Sequence, residues 1–389
     1  MSRAGSQLRT LVDLLARLRP HWRREPGLPA RIDQMLRGDR RLGSSDRRLY
    51  REMVYTALRY LPWIEPLLDT SPEDAVARIA WLASETPATQ AFRAAAAQGL
   101  PPCPPSVEAR AAVLGERSDA LFPDWLRAEC PEAYVTPLLD SLLSRPPLWL
   151  RLQSEPDKSL AEFDSLGWPW RRSPLVPGAV ALPSDAAVSR TEAYLSGRVE
   201  IQDAGSQRVL ESAGVVEGEH WLDACAGAGG KTLQLASLLG PSGHVTATDL
   251  REAPLEELRA RARRAGLDGR ITVGARQPPQ NGYDGVLVDA PCSGSGTWRR
   301  SPHLKWTTDA AQLDAAASLQ RALILQHLGH LRPGGRLVYA TCSICRTENA
   351  SVIESLGDAP HVQLIEPGLS LMPDTHDGDG FFVAVLRRT

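Results

Sequence analysis

From Gln207 to the C-terminus, short apolar runs alternate with helical patterns, and this alternation restricts the chain more than any other feature of its sequence. Strands are predicted at His220 to Ala224, His244 to Asp249, Arg270 to Val273, Gly285 to Asp289 and Arg336 to Thr341, with helices between them, notably Ala253 to Ala265 and Asp309 to Leu331. Such runs are too short for helices and suit a parallel sheet buried on both faces, so the pattern predicts a doubly wound, Rossmann-like α/β fold. The end departs from it. His361 to Ile365 and Phe381 to Leu386 are both strand-like and are joined by a turn at Asp377-Gly378-Asp379-Gly380, which predicts a final antiparallel strand. Open sheets of this kind hold their ligands outside the carboxyl ends of the strands, so chemistry is sought there.

The residues in front of the sheet read differently. Leu8, Leu11, Leu15 and Leu18 recur at helical spacing until Pro20, and Ser44-Ser45-Asp46 reads as an N-cap before a helix lined by Leu49, Met53, Ala57 and Tyr60. Helical pattern continues through Ala75 to Leu82 and Ala91 to Gln98, with no strand signal before residue 145. From Phe122 the character changes: Leu148 to Leu152 alternates like a strand, Leu160 to Leu166 suits a short helix, and Gly197 to Asp203 alternates again. The chain is therefore divided into an all-α domain at 1–122, a small α+β adaptor at 123–206 and the α/β core at 207–389.

No apolar run approaches the roughly 20 residues of a membrane span, and the start carries no signal sequence, so a cytoplasmic protein without membrane contact is expected. The six cysteines show no regular spacing, which argues against a disulfide framework and makes single thiols candidates for chemistry. Cys342 and Cys345 form a CxxC, but neither a redox-motif context nor a second pair for zinc accompanies it, and no metal is expected. The net charge of −2 conceals a basic front: residues 1–60 hold 14 arginines against 6 acids, either a phosphate-binding footprint or solvated helix faces. Only Lys158, Lys231 and Lys305 are lysines, and the last two lie inside glycine-rich motifs, where a compact ammonium fits and a guanidinium does not.

Two kinds of motif sit at the predicted strand ends. Asp223-Ala-Cys225-Ala226-Gly227-Ala228-Gly229-Gly230-Lys231-Thr232 follows the first core strand and opens a helix, so its glycines and free N–H groups suit a nucleotide-like ligand. It is not a phosphate-binding P-loop, since Cys225 stands where that pattern needs glycine. Asp249, ending the next strand, is placed to accept from ribose hydroxyls. These features alone leave a dinucleotide and S-adenosylmethionine both open. Asp289-Ala-Pro-Cys292 and Tyr339-Ala-Thr-Cys342-Ser343 end two further strands, and two thiols beside an acid suit covalent catalysis on an electrophilic carbon unless both are simply small core residues. Arg299, Arg300 and Lys305 follow in one loop, so that cations converge with the acid and the thiol unless the loop is simply solvated.

LDACAGAGGKT, DAPCSGSGTWRRSPHLKW, LVYATCS and the terminal DGFFVAVLRR resemble, in order, the motifs of the Sun/Fmu-type RNA cytosine-C5 methyltransferases. The segments PPLWLRL and IQDAGSQ resemble the stretch preceding that family's core, and LGSSDRRLYREMVYTALRY resembles the NusB-like helical RNA-binding domain of its bacterial 16S rRNA members. The resemblance implies a class I S-adenosylmethionine-dependent methyltransferase core behind a NusB-like domain, acting as a monomer on small-subunit rRNA. By the same resemblance Cys342 is the nucleophile that adds to cytosine carbon 6, Asp289 holds the ring, and Cys292 assists release of the product. Cys225, Ala226, Gly227, Ala228, Gly229, Gly230, Lys231, Asp249 and Asp289 would hold S-adenosylmethionine, and Arg299, Arg300 and Lys305 would meet RNA. Two departures stand out: Ala275 replaces the acid usual beside the adenine amine, which predicts weaker cofactor binding, and Ala228 replaces a proline. A tRNA enzyme and a non-catalytic ribosome-assembly factor of the same fold are the alternatives.

Overall fold

The computed structural model describes residues 3–274, 280, 282–357 and 359–389. The chain divides into two compact units, one of Met1–Arg145 with Thr297–Asp309 and one of Pro146–Gly296 with Ala310–Thr389. The first unit is all helical among its described residues, with Arg3–Leu18, Leu28–Gly38, Ser44–Arg59 and Pro72–Leu82 as its longest helices. Leu11, Leu15, Leu18, Met53, Ile79 and Trp63 close its core at 0–1% exposure, as the helical spacing of the leucines requires. Gly43, not Ser44, caps the third helix, and Asp46 reaches back to accept from the Gly43 N–H at 3.3 Å. The helical unit continues to Leu142, past the boundary expected at 122, because the shift in composition at Phe122 marks only a change to short helical turns.

The second unit holds two sheets. The smaller comprises β1 (Leu148–Leu152), β2 (Arg171–Arg172), β3 (Ala179–Leu182) and β4 (Val199–Ile201), antiparallel in the order β2-β3-β1-β4. The larger comprises β5 (His220–Asp223), β6 (His244–Ala247), β7 (Ile271–Val273), β8 (Tyr283–Asp289), β9 (Leu331–Thr341), β10 (Val362–Leu371) and β11 (Phe381–Arg388), in the order β10-β11-β9-β8-β5-β6-β7. β5 to β9 are parallel to one another and β11 runs against both β9 and β10, the reversed strand that the sequence predicts. Core side chains cover both faces of the sheet: Trp221, Leu287, Val338 and Val385 lie in one apolar cluster and Leu222, Val286, Val288 and Tyr339 in the other. That two-sided burial explains why these strands are continuous apolar runs.

The smaller sheet belongs to the same compact unit as the larger one, which the adaptor boundary at 206 does not anticipate. Glu200 on β4 is 1% exposed and receives Arg261 at 2.9 Å and Arg264 at 2.5 Å from the helix Glu252–Arg264. Arg261 also donates to the Ala228 carbonyl at 2.7 Å, so one guanidinium links the small sheet to the glycine-rich turn. No helix among the described residues is long and apolar enough to cross a membrane.

Candidate active site at the carboxyl ends of the parallel strands

Strand order reverses direction at β5: β6 and β7 lie on one side of it, β8 and β9 on the other. Open sheets bind ligands at such a switch point, and Asp249, Asp289, Cys292 and Cys342 all follow or close the carboxyl ends of β6, β8 and β9. After β5 the chain turns through Gly227 and Gly229, both at positive φ (52° and 85°), and a Cβ on Gly229 would come within 2.1 Å of Leu258. Only glycine allows this turn to pack on the helix behind it. The turn delivers its own helix, Gly230–Leu238, with free N–H groups at its start.

Asp249, beyond β6, accepts from the Gly227 N–H at 2.9 Å and the Arg251 N–H at 2.9 Å. Burial opposes its ionisation, but the hydrogen bonds from Arg251 and Gly227 prevail and lower its pKa, so a charged carboxylate waits where a hydroxyl pair can bind. Leu250, the next residue, is fully exposed. A bare leucine beside that carboxylate offers a flat ring a surface to cover, a feature that sequence reasoning missed because a single leucine in a turn carries no periodic signal. Ala275, the departure expected to weaken cofactor binding, lies outside the described residues.

At the other side of β5, Asp289 ends β8 and pairs with Lys231 at 2.8 Å. The Lys231 ammonium is largely buried and sits 4.9 Å from the centroid of Phe381, which explains the lysine: a compact cation fits between a carboxylate and a ring. Cys292 follows in the loop after β8 and Cys342 follows β9, and their sulfurs are 3.4 Å apart. The hydrogen bond to Cys342, and then burial, hold the Cys292 thiol well above the ordinary thiol range, and either sulfur can be the donor in the contact between them. Cys225 is of another kind. Burial, then Asp223 and Asp289, push its pKa up to about 12, which makes it inert as a nucleophile.

The site thus brings together Asp289, Cys292, Cys342, Lys231 and the glycine turn. Arg299 and Lys305 belong to the helical unit and are 2% and 1% exposed. Lys305 donates to the Arg59 and Leu121 carbonyls at 2.8 and 3.1 Å, with the Phe122 and Trp306 rings beside its ammonium, and Arg299 donates to the Ser144 hydroxyl at 2.9 Å. Burial leaves Arg299 and Lys305 little surface for contact with RNA, and Arg300 alone of the three is exposed. Phe381 and Phe382 on β11 are 4% and 3% exposed. Phe382 packs edge-on against Tyr339, as a core ring does. Among the described residues no group of histidines, cysteines and acids is arranged to hold a metal ion, and all six cysteines are free.

Comparison with known proteins places this arrangement. Residues 212–387 match the family described as 16S rRNA methyltransferase RsmB/F. The chain is 34% identical over 299 residues to ribosomal RNA small subunit methyltransferase B of Yersinia pseudotuberculosis, covering 72% of this chain and 69% of that one. The protein of the same name from Klebsiella pneumoniae is 33% identical over 284 residues, covering 68% of this chain and 66% of the other. Among solved structures, PH0851 matches over 100% of both chains with a TM-score of 0.75 at 20% identity, a likeness of fold. A methyltransferase homologue from Pyrococcus horikoshii matches 72% of this chain and 97% of its own, with a TM-score of 0.60 at 25% identity.

Proposed function

The chain belongs to the RsmB/F family of S-adenosylmethionine-dependent 16S rRNA methyltransferases, and we propose that it methylates carbon 5 of a cytosine in small-subunit rRNA through a covalent adduct on Cys342. The observation that carries this reading is the pair of sulfurs 3.4 Å apart beside the Asp289–Lys231 ion pair. Carbon 5 of cytosine is a weak nucleophile. A thiolate adding to carbon 6 moves electron density to carbon 5, which can then take up a methyl group. Cys342 is assigned that attack because it stands in the ATCS motif that the resembled family uses for its nucleophile, with the Cys292 sulfur 3.4 Å away. Asp289 accepts from the exocyclic amine of the base and from the proton that N3 carries as the adduct forms, while Lys231 fixes the carboxylate. Loss of the carbon 5 proton then expels Cys342, and Cys292 stands within reach of the departing sulfur.

The residues present fit the cofactor. Asp249 would accept the ribose hydroxyls in place of the exposed Arg251 head, Leu250 would offer its apolar surface to the adenine, and the turn from Cys225 to Lys231 together with Asp289 would hold the methionine end. S-adenosylmethionine supplies an electrophilic methyl group carried on a sulfonium. A cytosine must leave its stack to meet Cys342, so unstacked rRNA is the expected substrate, with Arg300 on its backbone and the arginine-rich helical unit, read as NusB-like, as the larger contact. Labelled methyl transfer to small-subunit rRNA and to bulk tRNA, compared for wild type and Cys342→Ala, tests the assignment. Transfer to rRNA that disappears in the variant is expected; transfer to tRNA alone would move the substrate, and transfer surviving in Cys342→Ala would remove the mechanism.

A further inference from the structure

Glu348 is 0% exposed and carries a feature that neither thiol loop explains by itself. One carboxylate oxygen accepts from the Ser293 N–H at 2.7 Å and from the Gln320 amide at 3.3 Å. The other accepts from the Ser293 hydroxyl at 2.5 Å and the Ser343 hydroxyl at 2.6 Å. Ser293 is the neighbour of Cys292 and Ser343 the neighbour of Cys342, so a single carboxylate spans the loops that present the two sulfurs. Both ends are themselves anchored. Gln320 also donates to the Pro291 carbonyl at 3.0 Å, and the Tyr339 hydroxyl donates to the Glu348 carbonyl at 2.5 Å.

These four donors are neutral, and a buried carboxylate pays heavily for leaving water unless its lone pairs are filled. An apolar side chain would fill the same space without that cost, but it would not hold two loops in a fixed direction. We propose that Glu348 is a positioning residue that sets the separation of the Cys292 and Cys342 sulfurs by holding Ser293 and Ser343 on one carboxylate. The inference rests on the roles assigned to the two thiols under Proposed function. Attack on carbon 6 and release of the product both require sulfurs placed within a narrow range, and a displacement of about 1 Å at a reacting centre lowers a rate by about 100-fold.

The test uses the full chain and two readouts. In single-turnover methyl transfer at saturating cofactor and rRNA, Glu348→Gln places an amide donor against two hydroxyl donors and should slow transfer by about 100-fold, with both apparent affinities within about threefold of wild type. Ser293→Ala and Ser343→Ala each remove one arm and should give smaller losses that add nothing to Glu348→Gln. Glu348→Asp, which keeps the charge, should recover part of the rate. The second readout needs no RNA: diamide, a diazene oxidant, takes up the two thiol hydrogens as it becomes a hydrazine, and the Cys292–Cys342 disulfide is read by peptide mass. Wild type should cross-link, and Glu348→Gln should do so about tenfold more slowly. A wild type that transfers no methyl group would remove the functional reading, while the cross-linking rates still judge the clamp. Cross-linking and transfer by Glu348→Gln at wild-type rates per folded molecule, with only the melting temperature lowered, would overturn the proposal, as would failure of the wild type to cross-link at all.

Discussion

Leu250 and Asp223 show how single side chains are set by what surrounds them. Leu250 keeps its whole surface in water next to a carboxylate that is charged and hydrogen-bonded on its inner side. If an adenine ring covers it, Leu250→Ala should weaken S-adenosylmethionine binding by about 1 kcal/mol, or about fivefold in Kd, measured by calorimetry. An unchanged Kd would place the adenine elsewhere. Asp223 lies below the turn, 1% exposed, and receives the Thr232 hydroxyl at 2.7 Å. Burial raises its pKa to about 7 despite that bond, with Asp289 adding to the shift. The folded state therefore keeps the proton after the unfolded chain has released it near the ordinary carboxylate value. Stability from this group is complete below about pH 4 and is lost as pH rises to about 7. Asp223→Asn cannot ionise, so the wild-type melting temperature measured against it should fall across that window and level off above it.

Packing of whole elements explains which parts of the fold can be read without coordinates. Gly285 on β8 faces Trp221 on β5 in register, and a Cβ there would lie 2.2 Å from the indole. Gly285→Ala should destabilise the α/β unit by about 1–3 kcal/mol in urea unfolding, since a core ring must move to admit it. A loss within error of zero would mean that the two strands separate more easily than their packing suggests. β8 was legible because a strand buried on both faces is an apolar run, and β11 because its apolar run follows a glycine turn. β9 starts at Leu331 and β10 runs to Leu371, both beyond their predicted limits, since proline, glycine and polar residues interrupt the apolar pattern in the added stretches. β2, two exposed arginines, has no apolar signal to read. The acids and thiols at strand ends were legible for the same reason as the strands that carry them. Glu348 and the Lys231–Asp289 pair were not, because their partners come from distant parts of the chain and leave no local pattern. A basic loop reads as surface, so the burial of Arg299 and Lys305 could not be seen either.

For the molecule as a whole, charge in the sequence is a poor guide to where RNA would lie. Lys305 is a peg inside the helical unit, and Lys305→Ala would leave two buried carbonyls without a donor. It should destabilise that unit by about 1–3 kcal/mol per lost partner, with little change in the salt dependence of RNA binding. A lysine on RNA would behave in the opposite way, lowering the salt slope by about one and leaving the melting temperature alone. The 14 arginines against 6 acids in residues 1–60 give the helical unit a net positive stretch, although Arg59 is buried and several others pair with carboxylates, and the proposed chemistry lies in the α/β unit. That chemistry rests on one claim, that Cys342 bonds to the base and Cys292 lets it go. The most direct measurement mixes Cys292→Ala with small-subunit rRNA and S-adenosylmethionine and resolves the products on a denaturing gel beside wild type and Cys292→Ala/Cys342→Ala. The account predicts an RNA–protein adduct that survives denaturation in the single variant and is absent from the double variant; an adduct in the double variant, or none in the single variant while wild type methylates the RNA, would contradict it.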